Sequence, residues 1–219
     1  AKSVAPDTKW DKETDVIVVG FGGAGASAAI SAHDAGSQVL ILEKMPAAGG
    51  NTAVSAGGFM IPDDLNEAYK YLKASYAFSH AEMDEELLKA FVNGTGELRN
   101  WLTSLGDNVG MFVYGYAGFK NLEGADTIKR YRIRGVKGAP RKGSGDCLFD
   151  LLKGAVEKRN IPVMLNTPVV SILRNGDEVV GVVAKSGDKN INIKAKKAVI
   201  LAAGGYEFDP ESLQNFTMG

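Results

Sequence analysis

An α/β fold built on a mostly parallel sheet is predicted by three observations. A β-branched apolar run at residues 16–19 leads straight into a glycine-spaced turn and a small-residue helical stretch, a second apolar run follows at 39–42, and a third, 198–203, comes late in the chain. Strands buried on both faces of a parallel sheet read as such continuous apolar runs, and the helices between them provide the crossovers.

The first unit, residues 15–43, reads DVIVVGFGGAGASAAISAHDAGSQVLILE. Val16 to Val19 end at Gly20, and Gly20, Gly22 and Gly25 have the G-x-G-x-x-G spacing. In a strand-to-helix turn the first glycine permits the tight bend, the second lets main chain approach a pyrophosphate, and the third lets the helix lie close on the strand. The phosphates would sit on N–H groups that have no partner inside the helix, which makes Gly20, Gly22, Gly23, Ala24 and Gly25 candidate contacts. Gly36 suits the left-handed end of the helix. Glu43 closes the second strand 18 residues beyond Gly25, near the roughly 20 at which an acid accepts hydrogen bonds from an adenosine ribose. A carboxylate there repels a 2′-phosphate and disfavours NADP. The unit by itself leaves FAD and NAD equally open.

Composition narrows the class. The 219 residues are 45% hydrophobic, enough for one large domain or one and a half, and the formal charge is −1. Nothing favours nucleic acid. Cys147 is the single cysteine and only two histidines are present, so no internal disulfide forms and a structural zinc site is disfavoured; no metal ligand set is expected. No apolar stretch approaches the roughly 20 residues of a membrane span, so a soluble chain is expected. A polar lead-in from Ala1 is consistent with a targeting peptide or tag removed upstream, and the compartment stays open.

Residues 44–64 place Gly49-Gly50 and Gly57-Gly58 around small and hydroxylic residues. Such a run either passes main chain against a flat ligand or is an ordinary loop. Leu65, Ala68, Tyr69, Leu72 and Tyr76 predict one helix face. A second helix is predicted over 82–105, with Ser79 to Glu82 as a capping box, Leu87, Leu88, Phe91, Leu98, Trp101, Leu102 and Leu105 inward, and a bend or break at Gly94 and Gly96. His33 and His80 read as surface residues. Tyr114 and Tyr116 fall among glycines in an expected loop. Lys129, Arg130, Arg132, Arg134, Lys137, Arg141 and Lys142 form a basic excess that reads either as a solvated turn or hairpin face or as attraction for an anion. Ser144 is a sound N-cap for a helix over 146–159, and Cys147 has no basic neighbour to make it a reactive thiol. Strands are predicted at 162–166, 168–174, 178–184 and 190–195, with turns at 175–177 and 186–188, before the apolar strand 198–203.

These motifs together, D-V-I-V-V-G-x-G-x-x-G, E-K, A-G-G-N-T-A-x-S-A-G-G and A-V-I-L-A-A-G-G, resemble the fumarate reductase and 3-ketosteroid dehydrogenase superfamily of flavoproteins, closely over 15–58 and more loosely over 161–210. The resemblance implies a Rossmann-like FAD-binding α/β domain of the glutathione-reductase type, with a helical insertion and a β-meander. One FAD-binding domain over 1–219 is expected: a core and flavin loop at 15–58, a helical excursion at 59–145, and helix, meander and return strand at 146–205. A capping domain is expected after residue 219. The same resemblance implies Lys44, Gly49, Gly50, Asn51, Thr52, Ala56, Gly57, Gly58, Val169, Ala202, Ala203 and Gly204 as FAD contacts. Members with covalent flavin carry His where this chain has Asn51, so non-covalent FAD is expected.

Tyr116 lies in a Gly-Tyr-Ala segment like that of a ketosteroid dehydrogenase tyrosine near the flavin, which makes it a candidate proton donor, with a packed loop aromatic as the alternative. The implied activity is hydride transfer between flavin N5 and a C=C or C–C bond beside a carbonyl or carboxylate. The Gly-Tyr-Ala segment and the low histidine count lean toward a bulky ketone over a small dicarboxylate. The electron donor or acceptor and the oligomeric state stay open. Two other readings stand beside this one: an FAD-binding module without turnover of its own, and an NAD-dependent dehydrogenase.

Overall fold

The apolar run that opens the glycine motif lies inside a sheet. In the computed structural model, which describes residues 1–4, 8–79, 82–134, 145–207 and 209–216, strand β2 (Lys12–Val19) has a parallel neighbour on each side. β3 (Val39–Leu42) pairs from Val16↔Val39 to Val19↔Leu42, and β10 (Lys189–Leu201) from Ala198↔Val16 to Leu201↔Val19. Ile17, Val18 and Ile41 are fully buried, as strands covered on both faces must be.

The chain divides into two units, residues 1–52 with 152–219, and residues 53–151. The first holds a seven-stranded sheet. Its order is β1 (Lys2–Ser3), β8 (Val169–Asn175), β9 (Glu178–Ser186), β10, β2, β3 and β7 (Val163–Met164). Helix α1 (Gly23–Asp34) packs on β2, β3 and β10 and buries Gly25, Ala26, Ala29 and Ile30. Ile17, Leu40, Leu42, Val182, Ala184, Ile193 and Ala195 form a continuous core. A short helix, α6 (Pro210–Phe216), follows the sheet.

Two corrections belong to this sheet. The strands expected at 190–195 and 198–203 are one strand, β10, with a register shift between Ala195 and Ala198. A bulge lets one strand bend and serve two partners: Lys189 to Lys194 run antiparallel to β9, and Ile193 to Leu201 parallel to β2. The exposed Lys196 and Lys197 interrupted the apolar pattern there. The polar lead-in also contributes β1, which pairs parallel with β8. The turns expected at 175–177 and 186–188 are present, with Gly176 and Gly187 both at φ +60°.

The second unit packs α3 (Leu65–Ser79) and α4 (Glu85–Ser104) with an antiparallel sheet ordered β4 (Phe59–Pro62), β6 (Ile128–Ile133), β5 (Met111–Tyr116). Its core is Ala68, Tyr71, Leu88, Val92, Ala117, Ala125 and Ile128. The loop expected around Tyr114 and Tyr116 is thus strand β5, and 44–64 holds β4 and a short helix, α2 (Gly50–Val54). α4 starts at Asp84, whose carboxylate accepts the Leu87 N–H at 3.0 Å, not at a capping box from Ser79.

Helix α4 is continuous through Gly94 and Gly96, and its inward face is Leu88, Val92, Thr95 and Leu102. Leu87 and Phe91 are 66% and 53% exposed. The helix is turned because the Thr95 hydroxyl, satisfied by the Val92 carbonyl at 2.7 Å, can be buried, and because Gly96 lets Leu65 come where a Cβ would stand 2.9 Å away. In α3 the buried aromatic is Tyr71, while Leu65 and Tyr76 are exposed. The readings at His80 and Ser144, like those at Lys137, Arg141 and Lys142, lie outside the described residues. Helix α5 (Gly145–Lys158) buries Cys147, Leu151, Leu152 and Ala155.

Among the described residues no helix is long and apolar enough to cross a membrane, and no three His, Cys, Asp or Glu side chains gather as a metal site.

The end of α1 is tied down by Arg159, whose Nε and Nη2 donate to Asp34 at 2.7 and 2.8 Å while Nη1 donates to the Ala155 carbonyl at 3.1 Å. The Arg159 guanidinium, chiefly, and His33 hold the Asp34 carboxyl below its ordinary 3.8. A depressed acid stabilises the fold above that ordinary value and loses the contribution as pH falls through its folded value. Asp34→Asn is expected to cost about 0.5–1 kcal/mol at neutral pH, because both partners are partly hydrated. In melting curves taken from pH 7 downward, the gap to the wild type should close in acid; a gap that stays constant would remove the ion pair from the account.

Candidate cofactor-binding site

The ends of three strands crowd the glycine turn at its first and third glycines. The Gly20 N–H donates to the Leu42 carbonyl at 2.8 Å, and the Ala202 N–H donates to the Val19 carbonyl at 2.8 Å. Gly20 has φ +103°, and a Cβ on it would stand 2.4 Å from the Ala202 oxygen. A Cβ on Gly25 would stand 1.9 Å from the Gly20 oxygen. The first and third glycines are therefore imposed by main chain.

The helix end above this turn is open. Its first intrahelical bond runs from the Ala26 N–H to the Gly22 carbonyl at 2.9 Å, and Gly22, at the N-cap, offers no side chain. The N–H groups of Ala24 and Gly25 precede that bond, and Ala24 is exposed. Such an end attracts an anion. The Gly23 N–H is already taken, donating at 3.0 Å to the hydroxyl of Thr52. Thr52 thus caps α1 from a different helix.

Glu43 stands where the spacing placed it, at the end of β3, but it is only 7% exposed. Its Oε2 accepts the Phe21 N–H at 2.7 Å and its Oε1 the Met45 N–H at 2.8 Å. The Phe21 carbonyl in turn accepts the Gly49 N–H at 2.9 Å. The acid therefore braces the glycine turn against the segment that follows β3, a role that spacing alone did not reveal. Each carboxylate oxygen keeps a second lone pair, so the brace is compatible with hydrogen bonds from ribose hydroxyls.

The remaining candidates of the first unit are drawn toward the same strand ends. The Asn166 N–H donates to the Met45 carbonyl at 3.1 Å and the Thr167 N–H to the Glu43 carbonyl at 2.8 Å, and half-buried Val169 opens β8 two residues on. Ala203 and Gly204 follow Ala202, exposed, with Gly204 at φ +80°. Lys44, Gly50 and Asn51 are exposed and Gly49 is buried.

Ala56, Gly57 and Gly58 belong to the second unit. The Gly57 N–H donates to the Ser55 hydroxyl at 3.0 Å. Gly58 lies against Tyr114, whose hydroxyl a Cβ on Gly58 would overlap at 2.1 Å. Tyr114 falls at the register shift between Val113 and Gly115 on β5. The tyrosine against this glycine is thus Tyr114. Tyr116, two residues on, is 60% exposed and pairs across the strands with Lys129.

A turn closed in by main chain at Gly20 and Gly25 that presents main-chain N–H groups fits the pyrophosphate of a dinucleotide, which places the chain among the dinucleotide-binding α/β domains. The sequence matches the FAD binding domain family over residues 15–219, and the chain belongs to that family. FAD, not NAD, is accordingly its cofactor.

The NADH:fumarate oxidoreductase of Klebsiella pneumoniae is 34% identical over 205 residues, which cover 89% of this chain and 21% of that protein. Among solved structures, the 3-ketosteroid-Δ4-(5α)-dehydrogenase of Rhodococcus jostii superposes with TM-score 0.81 at 25% identity, covering 98% of this chain and 50% of its own. The open conformation of a flavocytochrome c3 fumarate reductase superposes with TM-score 0.77 at 28% identity, covering 94% and 36%. The chain therefore spans half the length or less of these relatives.

Glu43→Gln puts an NH2 group against a main-chain N–H, and the mismatch should cost about 1–3 kcal/mol. The loss is expected in the melting of cofactor-free protein, as well as in weaker FAD retention; wild-type melting without FAD would show that the brace contributes nothing. Gly25→Ala should cost about 3 kcal/mol by overpacking against the Gly20 carbonyl, read as loss of folded yield, and a variant that folds and binds normally would contradict the contact.

Proposed function

We propose that this chain is the FAD-carrying part of an oxidoreductase that reduces or forms a C=C bond beside a carbonyl or carboxylate. The observation that supports it most is likeness along nearly the whole chain to proteins named as fumarate reductases and ketosteroid dehydrogenases, with the glycine turn intact. Bound FAD would supply the hydride chemistry. The chain's own part is placement: the open end of α1 receives the pyrophosphate, Glu43 the ribose, and the segments at Lys44 to Gly58, Val169 and Ala202 to Gly204 the rest of the cofactor. Asn51 offers no nucleophile for a flavin bond, which favours non-covalent attachment. Tyr116, exposed on β5, is the candidate hydrogen-bond or proton donor toward a substrate oxygen.

A second reading, that these residues bind FAD without turnover by themselves, is favoured by the small share of the relatives that the chain spans.

Protein reconstituted with FAD should show flavin absorption, and acid precipitation should release all of it into the supernatant. Colourless protein that takes up no FAD would sink the cofactor assignment, and flavin in the pellet would sink non-covalent binding. After anaerobic bleaching with dithionite, fumarate, urocanate, cinnamate and a 3-ketosteroid are offered in turn. Return of the flavin bands with any one supports the oxidoreductase; none returning them leaves the binding module.

A further inference from the structure

Strand β6 reads Ile-Lys-Arg-Tyr-Arg-Ile and continues into Arg134. Side chains alternate along a strand, so Arg130, Arg132 and Arg134 share one face, while Tyr131 and Ile133 are buried on the other. Two of these arginines lie over aromatic rings. The Arg132 guanidinium carbon is 4.0 Å from the centre of the Tyr114 ring, and that of Arg134 is 5.7 Å from the centre of the Phe112 ring. Arg130 lies opposite Gly115, which leaves its stem unobstructed.

Among the described residues none of the three pairs with a carboxylate, whereas Lys129, on the opposite face, pairs with Asp63. Residues 135–144 contain no Asp or Glu. The Nε of Arg132 is buried and, among the described residues, has no hydrogen-bond partner. Stacking on a ring leaves the N–H edges of a guanidinium available in its plane, the geometry that binds a carboxylate fork to fork. Met60 pairs across the sheet with Arg130, and Phe112 with Arg132; residues directly opposite share a face, so apolar side chains flank the charges.

We propose that this arginine ladder is a binding site for a small organic acid, with Arg130 and Arg132 holding the carboxylate and Met60 and Phe112 its hydrocarbon. Taking that acid to be the substrate rests on the function proposed above, and it shifts the substrate from the bulky ketone suggested by the Gly-Tyr-Ala segment toward an unsaturated acid. An anion site on β6 does not depend on that function.

The test is calorimetric titration of the FAD-loaded chain with fumarate, urocanate and cinnamate, each beside its neutral amide. At least one acid should bind about tenfold tighter than its amide, as charge-assisted hydrogen bonds require. Arg132→Met and the more exposed Arg130→Met should each abolish that preference, Arg132→Lys should keep part of it, and FAD affinity and melting should stay at wild-type values. The inference is overturned if no acid is preferred over its amide, if both methionine variants keep the preference, or if they weaken FAD binding instead, which would assign the ladder to the cofactor phosphates. Because the readout is binding, failure here leaves flavin reoxidation by substrate untouched, and failure of reoxidation leaves the anion site measurable.

Discussion

The first unit depends on a place where no Cβ can exist. At Gly25 helix α1 comes so near the end of β2 that an added carbon would stand 1.9 Å from the Gly20 carbonyl oxygen. That closeness fixes the first turn of the helix above the strand end, and so fixes where its unpaired N–H groups lie. The same crowding recurs at Gly20 against Ala202, so the last strand of the chain helps shape a turn that begins near its start. In the proposed binding mode a cofactor pyrophosphate would meet main chain alone.

Main chain needs bracing if it is to keep such a shape without its ligand. Phe21 is held through both its N–H and its carbonyl, by Glu43 and Gly49, and the helix end is held through Gly23 by Thr52. Burying a carboxylate is costly unless it is hydrogen-bonded, and two short bonds from main-chain N–H groups meet that condition at Glu43. The acid that would meet the ribose is thus already committed to the turn that would meet the phosphates. A change at Glu43 cannot act on one without acting on the other.

How much of this was legible in the sequence follows from the range of each cause. β2, α1 and β3 are governed by local apolar runs, glycine spacing and a helix stop at Gly36, and all three appear within a few residues of their expected limits. β10 was cut in two because Lys196 and Lys197 obey the geometry of a bulge, which depends on partners more than 170 residues away in sequence, such as Val16. Helix α4 was placed but turned about its axis, since apolar spacing could not separate an inward stripe of Leu88, Val92 and Thr95 from an outward one of Leu87 and Phe91. At the site, the glycines and Glu43 were readable by spacing. The bond from Phe21 to Glu43 and the contact of Tyr114 with Gly58 were not, because nothing local marks them.

Cofactor recognition and substrate recognition make different demands on a chain. Recognition through main-chain N–H groups constrains few side chains, and the chain superposes on a solved dehydrogenase and a solved reductase with TM-scores of 0.81 and 0.77 at 25% and 28% identity. Substrate recognition has no such economy. It needs particular side chains with particular charges, and strand β6 of the second unit, with Arg134 just after it, departs from the small-residue character of the cofactor site with three arginines on one face. A buried guanidinium nitrogen without a partner is a donor awaiting an acceptor, and among the described residues no carboxylate meets it. Under the proposed assignments, the cofactor would be met by what glycine leaves out, and an acid ligand by what arginine adds.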